Sequence, residues 1–233
     1  MAYETHANGS WFDESNLVAY YKLENVNDSG PSGFNLTNVG TTTFVAGKFT
    51  NCANFVKTSG QYLYVNNNLG IDGGNCTFSF WLYLASSPAA GVYYSLFRQT
   101  SATAHASYAV EYYNDSGTLK LYVDRNKEYV AHQAATITRT LPTTTWLHYC
   151  YTYNGTAVVF YENGVQIGTV NASGNGTTST DNYIVLGSFI TGAAVDPLNG
   201  RLDEFIAESR AWTAGEVAKY YENSKGQFYG QVQ

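Results

Sequence analysis

Paired carboxylates on a strand are a common device for cleaving a glycosidic bond, and Asp203-Glu-Phe-Ile-Ala-Glu208 is where this sequence comes nearest to one. Strand alternation sets Asp203 opposite Glu204 and Glu208. The latter two share a face but stand about 13 Å apart at the usual strand rise. Glycosidase carboxylates sit about 5–9.5 Å apart, so the segment fails the spacing test. Glu111 stands alone in its strand, His6, His105, His132 and His148 are scattered, and no Gly-x-Ser-x-Gly occurs. Nucleophilic catalysis therefore has no candidate constellation. A row suited to binding is easier to find. Glu111 and Tyr113 alternate on one face of a segment, and Lys120 and Tyr122 do so on the next. Rings beside planar polar groups are what a sugar-binding surface requires. Tyr94 and Arg98, with Tyr93 and His105, fall in the neighbouring stretch 91–108, which reads as a loop, and Trp81 and Tyr83 are further candidates for the same row.

These side chains must be positioned by strands. Short alternating runs broken by Gly, Asn and Asp recur along the chain, which carries 21 Tyr, the pattern of an antiparallel sandwich. In 76–84, Cys76, Phe78, Phe80, Leu82 and Leu84 form a core face, with Thr77, Ser79, Trp81 and Tyr83 opposite. Segments 108–113 and 118–123 form a hairpin across Asn114-Asp-Ser-Gly117, while Asn154-Gly155 and Asn163-Gly164 turn 146–153, 156–161 and 165–170 into two more. Strands follow at 183–187 and 201–209, and 85–91 and 171–181 read as loops. One helix is predicted: Thr213-Ala-Gly-Glu216 is a capping box, Val217, Tyr220 and Tyr221 follow at helical spacing, and Gly226 can end it.

Composition narrows the partners. The net charge is −6 with no basic stripe, which argues against nucleic acid. No run reaches the roughly 18 apolar residues of a membrane span, and the N-terminus lacks the apolar core of a signal peptide. A virion or particle surface, or non-classical export, is expected in place of classical secretion. Cys52, Cys76 and Cys150 are an odd count without ligand spacing, which leaves a Cys52–Cys76 bridge open. Eight Asn-x-Ser/Thr sequons occur, but most read first as turn chemistry.

An ordered series of segments resembles the laminin-G-like jelly-roll domains of the concanavalin-A-like lectin/glucanase superfamily. It comprises Leu17-Val-Ala-Tyr-Tyr-Lys-Leu-Glu24, the turn Asp28-Ser-Gly…Gly33-Phe-Asn35, Gly47-Lys-Phe-Thr-Asn-Cys-Ala-Asn-Phe55, Cys76-Thr-Phe-Ser-Phe-Trp-Leu82, Trp146-Leu-His-Tyr-Cys-Tyr-Thr-Tyr-Asn-Gly-Thr156 and Asn199-Gly-Arg-Leu-Asp-Glu204. Gly30-Pro-Ser-Gly33 departs from the family's first turn. The resemblance implies an all-β, two-sheet antiparallel jelly-roll sandwich over 17–222 with one short C-terminal helix, an N-terminal arm 1–16 and a C-terminal tail 223–233. It also implies a structural Ca²⁺ held by Asp28, Asn35 and Asp203, with carbonyls of 29–33 and Glu24, since that ion takes hard oxygen ligands. The other roles open to these residues are an Asx-turn cap for Asp28 and a pairing with Arg201 or a backbone group for Asp203. The family's endoglucanases carry a Glu-x-Asp-x-x-Glu strand that is absent here. The expectation is a non-catalytic lectin-like module that recognises a glycan or surface protein through Tyr94, Arg98, Glu111, Tyr113, Lys120 and Tyr122. The alternative is a decoration, tail or fibre protein of a phage or other particle, docking through Trp11-Phe12 or 227–233. A glycoside hydrolase comes third.

Overall fold

Alternating aromatic and polar residues, cut at short intervals by Gly and Asn, satisfy their backbone groups by pairing laterally. The computed structural model describes residues 14–71, 74–100, 106–127, 131–171, 183–190 and 194–226. Its strands are β1 (Leu17–Tyr21), β2 (Thr37–Val39), β3 (Thr43–Ala46), β4 (Asn51–Phe55), β5 (Tyr62–Val65), β6 (Cys76–Leu84), β7 (Tyr93–Thr100), β8 (Ala106–Asp115) and β9 (Thr118–Lys127). They continue as β10 (Ala131–Thr138), β11 (Trp146–Tyr153), β12 (Ala157–Glu162), β13 (Val165–Asn171), β14 (Tyr183–Leu186), β15 (Phe189–Ile190), β16 (Ala194–Val195) and β17 (Gly200–Glu208). Helix α1 (Ala214–Ser224) follows.

One sheet runs β13-β12-β11-β6-β17-β4-β3, with β1 also paired to β17. The facing sheet runs β10-β9-β8-β7-β14-β5-β2, and β15-β16 form a small separate hairpin. This is the expected two-sheet antiparallel sandwich. Between the sheets, Phe78 meets Phe97 at 4.8 Å and Tyr108 at 5.5 Å between ring centroids. Phe97 in turn meets Phe205 at 5.6 Å. Burying each such ring contributes about 1.5–3 kcal/mol, and ring pairing adds about 0.5–1.5 kcal/mol.

Strand β6 turns Cys76, Phe78, Phe80, Leu82 and Leu84 to this core, as its alternation predicts. Its other face is buried too, because α1 and the segment before it form a third layer. Cys150, Tyr161, Ile206, Trp212, Val217 and Tyr220 cluster there. Thr77 Oγ1 donates to the Arg210 carbonyl at 2.7 Å and accepts the Trp212 N–H at 2.8 Å, fixing the approach to the helix. The Thr213–Glu216 capping box starts α1 as expected. Its end differs: Lys225 stays right-handed at φ −60°, so Gly226 is not a left-handed cap. Instead the buried Lys48 Nζ donates to the Ser224 and Lys225 carbonyls at 3.3 and 2.9 Å, stabilising the negative end of the helix.

The hairpin turns follow the sequence. Asn163 and Gly164 both take positive φ, 51° and 79°, as a two-residue turn between β12 and β13 requires. The β8–β9 turn is tighter than expected, with Ser116 and Gly117 at its centre. The stretch 91–108 is not a loop: β7 runs through 93–100 and β8 begins at Ala106. Tyr94, Leu96 and Phe97 bury there, but a bulge between Ser95 and Phe97 breaks the alternation that would have revealed a strand. The three cysteines are free and buried, so Cys52 and Cys76 are not bridged. Among the described residues no helix is long and apolar enough to cross a membrane. His6, Trp11-Phe12, His105, most of 171–181 and the 227–233 tail lie outside the described residues.

Candidate ligand-binding face

The side of β7, β8 and β9 turned away from the core collects most of the predicted row. In β8, Val110 and Tyr112 point inward, so Glu111 and Tyr113 point outward. Antiparallel register sets Tyr113 beside Tyr93 on one side and Lys120 on the other. It sets Glu111 between Ser95 and Tyr122, and Arg98 beside Ala109. The rings of Tyr93 and Tyr113 lie parallel, 4.7 Å apart at 7°. Tyr122 meets Tyr113 edge-on at 6.5 Å. Lys120 Nζ lies 5.9 Å from the centre of the Tyr113 ring and pairs with Asp115 at 2.6 Å. That pairing lowers the Asp115 carboxyl below its ordinary range and raises Lys120 above its own. Tyr93 is 37% exposed, which makes it the open end of the strip.

Arg98 Nη1 and Glu111 Oε1 are 2.6 Å apart, with side chains only 14% and 10% exposed. The Phe189 ring lies 4.0 Å from the guanidinium carbon. This ring comes from the β15–β16 hairpin, which folds over β7. Partial burial raises Asp196, just beyond that hairpin, against the opposing charges of Arg98 and Lys57.

Tyr94 departs from the prediction. It pairs with Tyr112 in the ladder, faces the core and is 3% exposed. The surface ring at this place is Tyr93, one residue earlier, because the bulge between Ser95 and Phe97 reverses the parity counted back from Arg98. Trp81 and Tyr83 are not adjacent to the row, because β6 belongs to the other sheet. Trp81 lies beneath α1, 6.0 Å from Tyr221 and 5.3 Å from His148.

Asp28 and Asn35 lie in one turn, and Asp203 holds another. Asp28 Oδ1 accepts the N–H groups of Tyr20 and Gly30 at 2.9 and 2.8 Å, and Oδ2 accepts that of Phe34 at 3.1 Å. Asn35 Oδ1 accepts the Asp28 N–H at 2.9 Å, so both residues close the first turn. Asp203 Oδ2 holds a different turn, accepting the N–H groups of Lys48 at 2.8 Å and Phe49 at 3.3 Å. Arg201 donates to the Ala46 carbonyl at 3.3 Å. Among the described residues, no three His, Cys, Asp or Glu side chains are placed to hold a metal ion.

The acidic strand also differs from its simple alternation. The register of β17 shifts between Asp203 and Ile206, and Glu204 takes φ 53°. This bulge turns Asp203 and Glu204 to the same outer side, beneath α1. The Tyr20 hydroxyl donates to Glu204. Burial lifts the Glu204 carboxyl from 4.5 to about 7 and holds Asp203 well above the carboxylate range. Ser79 Oγ and His148 Nε2 are 2.8 Å apart in the same layer. Burial keeps His148 neutral, lowering it to about 3. These groups have the elements of acid–base chemistry and are all buried beneath the helix.

The family model described as the Concanavalin A-like lectin/glucanases superfamily matches residues 57–218. Similar solved structures include domain 4 of AbnA, a GH43 extracellular arabinanase from Geobacillus stearothermophilus, in complex with arabinotriose. It is 18% identical at a TM-score of 0.65, over 90% of this chain and 100% of that one. The binding domain of Paraclostridial Mosquitocidal Protein 1 is 17% identical at a TM-score of 0.72, over 91% and 53%. The binding domain of botulinum neurotoxin serotype D is 15% identical at 0.66, over 90% and 52%. The chain thus spans about half the length of the two toxin binding domains. No curated protein matches it in sequence.

Proposed function

Because the chain belongs to the Concanavalin A-like lectin/glucanases superfamily, we propose that it is a non-catalytic binding module that recognises neutral glycans on the outer face of β7, β8 and β9. The observation that carries this reading is the Tyr93–Tyr113 stack, continued by Tyr122 and flanked by Lys120 and Asp115. Rings standing from a rigid sheet offer apolar faces to sugar C–H groups, and their hydroxyls and the adjacent charges bond the sugar hydroxyls. The AbnA domain's complex with arabinotriose supports a sugar ligand. The non-catalytic half of the reading is supported by the acidic residues of β17, which lie under α1 and away from this face.

The test is a neutral glycan array, followed by calorimetry with arabino-, xylo- and gluco-oligosaccharides. We expect binding that Tyr113→Ala weakens about tenfold, the loss of one well-packed interface ring. Absence of binding across the panel would sink the reading, as would sugar release from the same oligosaccharides.

A further inference from the structure

The outer face of the same sheet carries a second group of rings. Leu63 and Val65 of β5, and Ile184 and Leu186 of β14, point into the core, so Tyr62, Tyr64 and Tyr183 point outward. The ring centroids of Tyr62 and Tyr64 lie 6.0 Å apart, and those of Tyr64 and Tyr183 5.9 Å. All three rings keep part of their surface in solvent. On the facing sheet the outer tyrosines do not, since Tyr20 and Tyr161 are buried in the layer that α1 completes. We propose that Tyr62, Tyr64 and Tyr183 form a second platform for the same glycan, so that the protein takes an extended neutral polysaccharide in preference to a terminal sugar. The proposal rests on the glycan-binding reading and adds to it the length of chain that the face spans.

The ladder sets the separation of the two groups. Tyr64 pairs with Val185, Val185 with Arg98, and Arg98 with Ala109. Tyr113 stands further along β8 from Ala109, on the same face. Three strand spacings across and the rise from Ala109 to Tyr113 place Tyr64 roughly 20 Å from Tyr113. A terminal sugar touches one group, whereas a chain of several sugar residues touches both. Once one group holds the chain, the other meets it at the high effective concentration of a tethered ligand, and two weak contacts give tight binding.

The ligand class follows from the charges. Strands β2, β5 and β14 contain no Asp, Glu, Lys, Arg or His. Beside the tyrosines, on the end strand β2, stand Thr37 next to Tyr64 and Val39 next to Tyr62. Arg98, in the strand beyond β14, is already paired with Glu111. A charged polymer finds no counter-charge on this surface and gives up water for nothing in return. A neutral glycan lays its C–H faces on the rings and bonds its hydroxyls to those of tyrosine and threonine.

The test is calorimetry with arabino-, xylo- and gluco-oligosaccharides, each in a series from disaccharide to dodecasaccharide. For the series that binds, affinity should rise about a hundredfold once the chain spans both groups. Tyr64→Ala and Tyr183→Ala should each cut the ratio of long-chain to short-chain affinity about tenfold, the loss of one packed ring. Tyr113→Ala should weaken short and long chains alike. Where Tyr64→Ala lowers the melting temperature, Tyr64→Leu, which keeps apolar bulk on the strand without the flat ring, carries the same expectation. Affinity that does not grow with chain length, or a long-chain advantage that survives these variants, would overturn the second platform and leave the Tyr93–Tyr113 strip standing. Binding by no member of any series would overturn both.

Discussion

Replacing Glu204 by Gln removes a titrating group from a layer that water barely reaches. Glu204 is 8% exposed and sits beside Asp203 under α1. Its carboxyl rises from 4.5 in the unfolded chain to about 7 in the folded one. The folded value is the higher, so the native state holds an extra proton between those limits. The group's contribution to stability is complete below pH 4.5 and is lost as the pH rises to about 7. Ionising Glu204 in place therefore costs about 3 kcal/mol more than ionising it in the unfolded chain. Gln keeps the shape and an acceptor for the Tyr20 hydroxyl but cannot ionise. Asp203, raised by burial and then by the Glu204 charge, is relieved in the same direction. His148, lowered to about 3, gives stability that is lost as the pH falls below 6.5. Lys48, lowered to about 8, gives stability that is lost as the pH falls from 10.5 through that value. Both slopes are common to the two proteins and cancel in the difference. Urea unfolding below pH 4.5 and above pH 7 should show Glu204→Gln gaining about 3 kcal/mol on the parent between the two conditions. A difference that does not change with pH refutes the argument.

Two further outcomes follow from the turns. A Cβ at Gly187 would stand 2.5 Å from the Phe55 ring at φ 82°, so Gly187→Ala should lose about 2–4 kcal/mol in urea unfolding, from overpacking and backbone strain together. Because Asp28 and Asn35 already accept backbone N–H groups, millimolar calcium and a chelator should give the same melting temperature. A rise with calcium, the mark of a ligand bound only by the native state, would contradict the assignment of these residues to the turn.

The parts of the fold legible in the sequence are those whose causes are local. Asn163-Gly164 makes its turn because two adjacent residues accept positive φ, and Thr213 caps α1 because a hydroxyl and a carboxylate lie three residues apart. The inner face of β6 follows from its period of two. What the sequence hid comes from bulges and from distant covering. The bulge in β7 inverts the side chains before it relative to those after it, so Tyr93 takes the surface place expected of Tyr94 and a strand reads as a loop. The bulge in β17 brings Asp203 and Glu204 to one side, where alternation separates them. Trp81 reads as a member of the outward row until α1, far along the chain, lies over it.

The place of β17 in its sheet bears on the order in which the chain can fold. It is the last strand among the described residues, yet it lies in the sheet interior, with β6 along one side and β4 and β1 sharing the other. Until β17 is made, β6 and β4 have no neighbour between them, and the segments from β1 to β4 wait for the stretch from β17 to α1. Lys48, whose backbone steadies Asp203 and whose ammonium closes α1, has both partners in that final stretch. Such non-local closure makes for slow folding, and the chain carries unpaired edges and bare aromatic rings until β17 is in place. Truncation within β17 should therefore leave an aggregating chain.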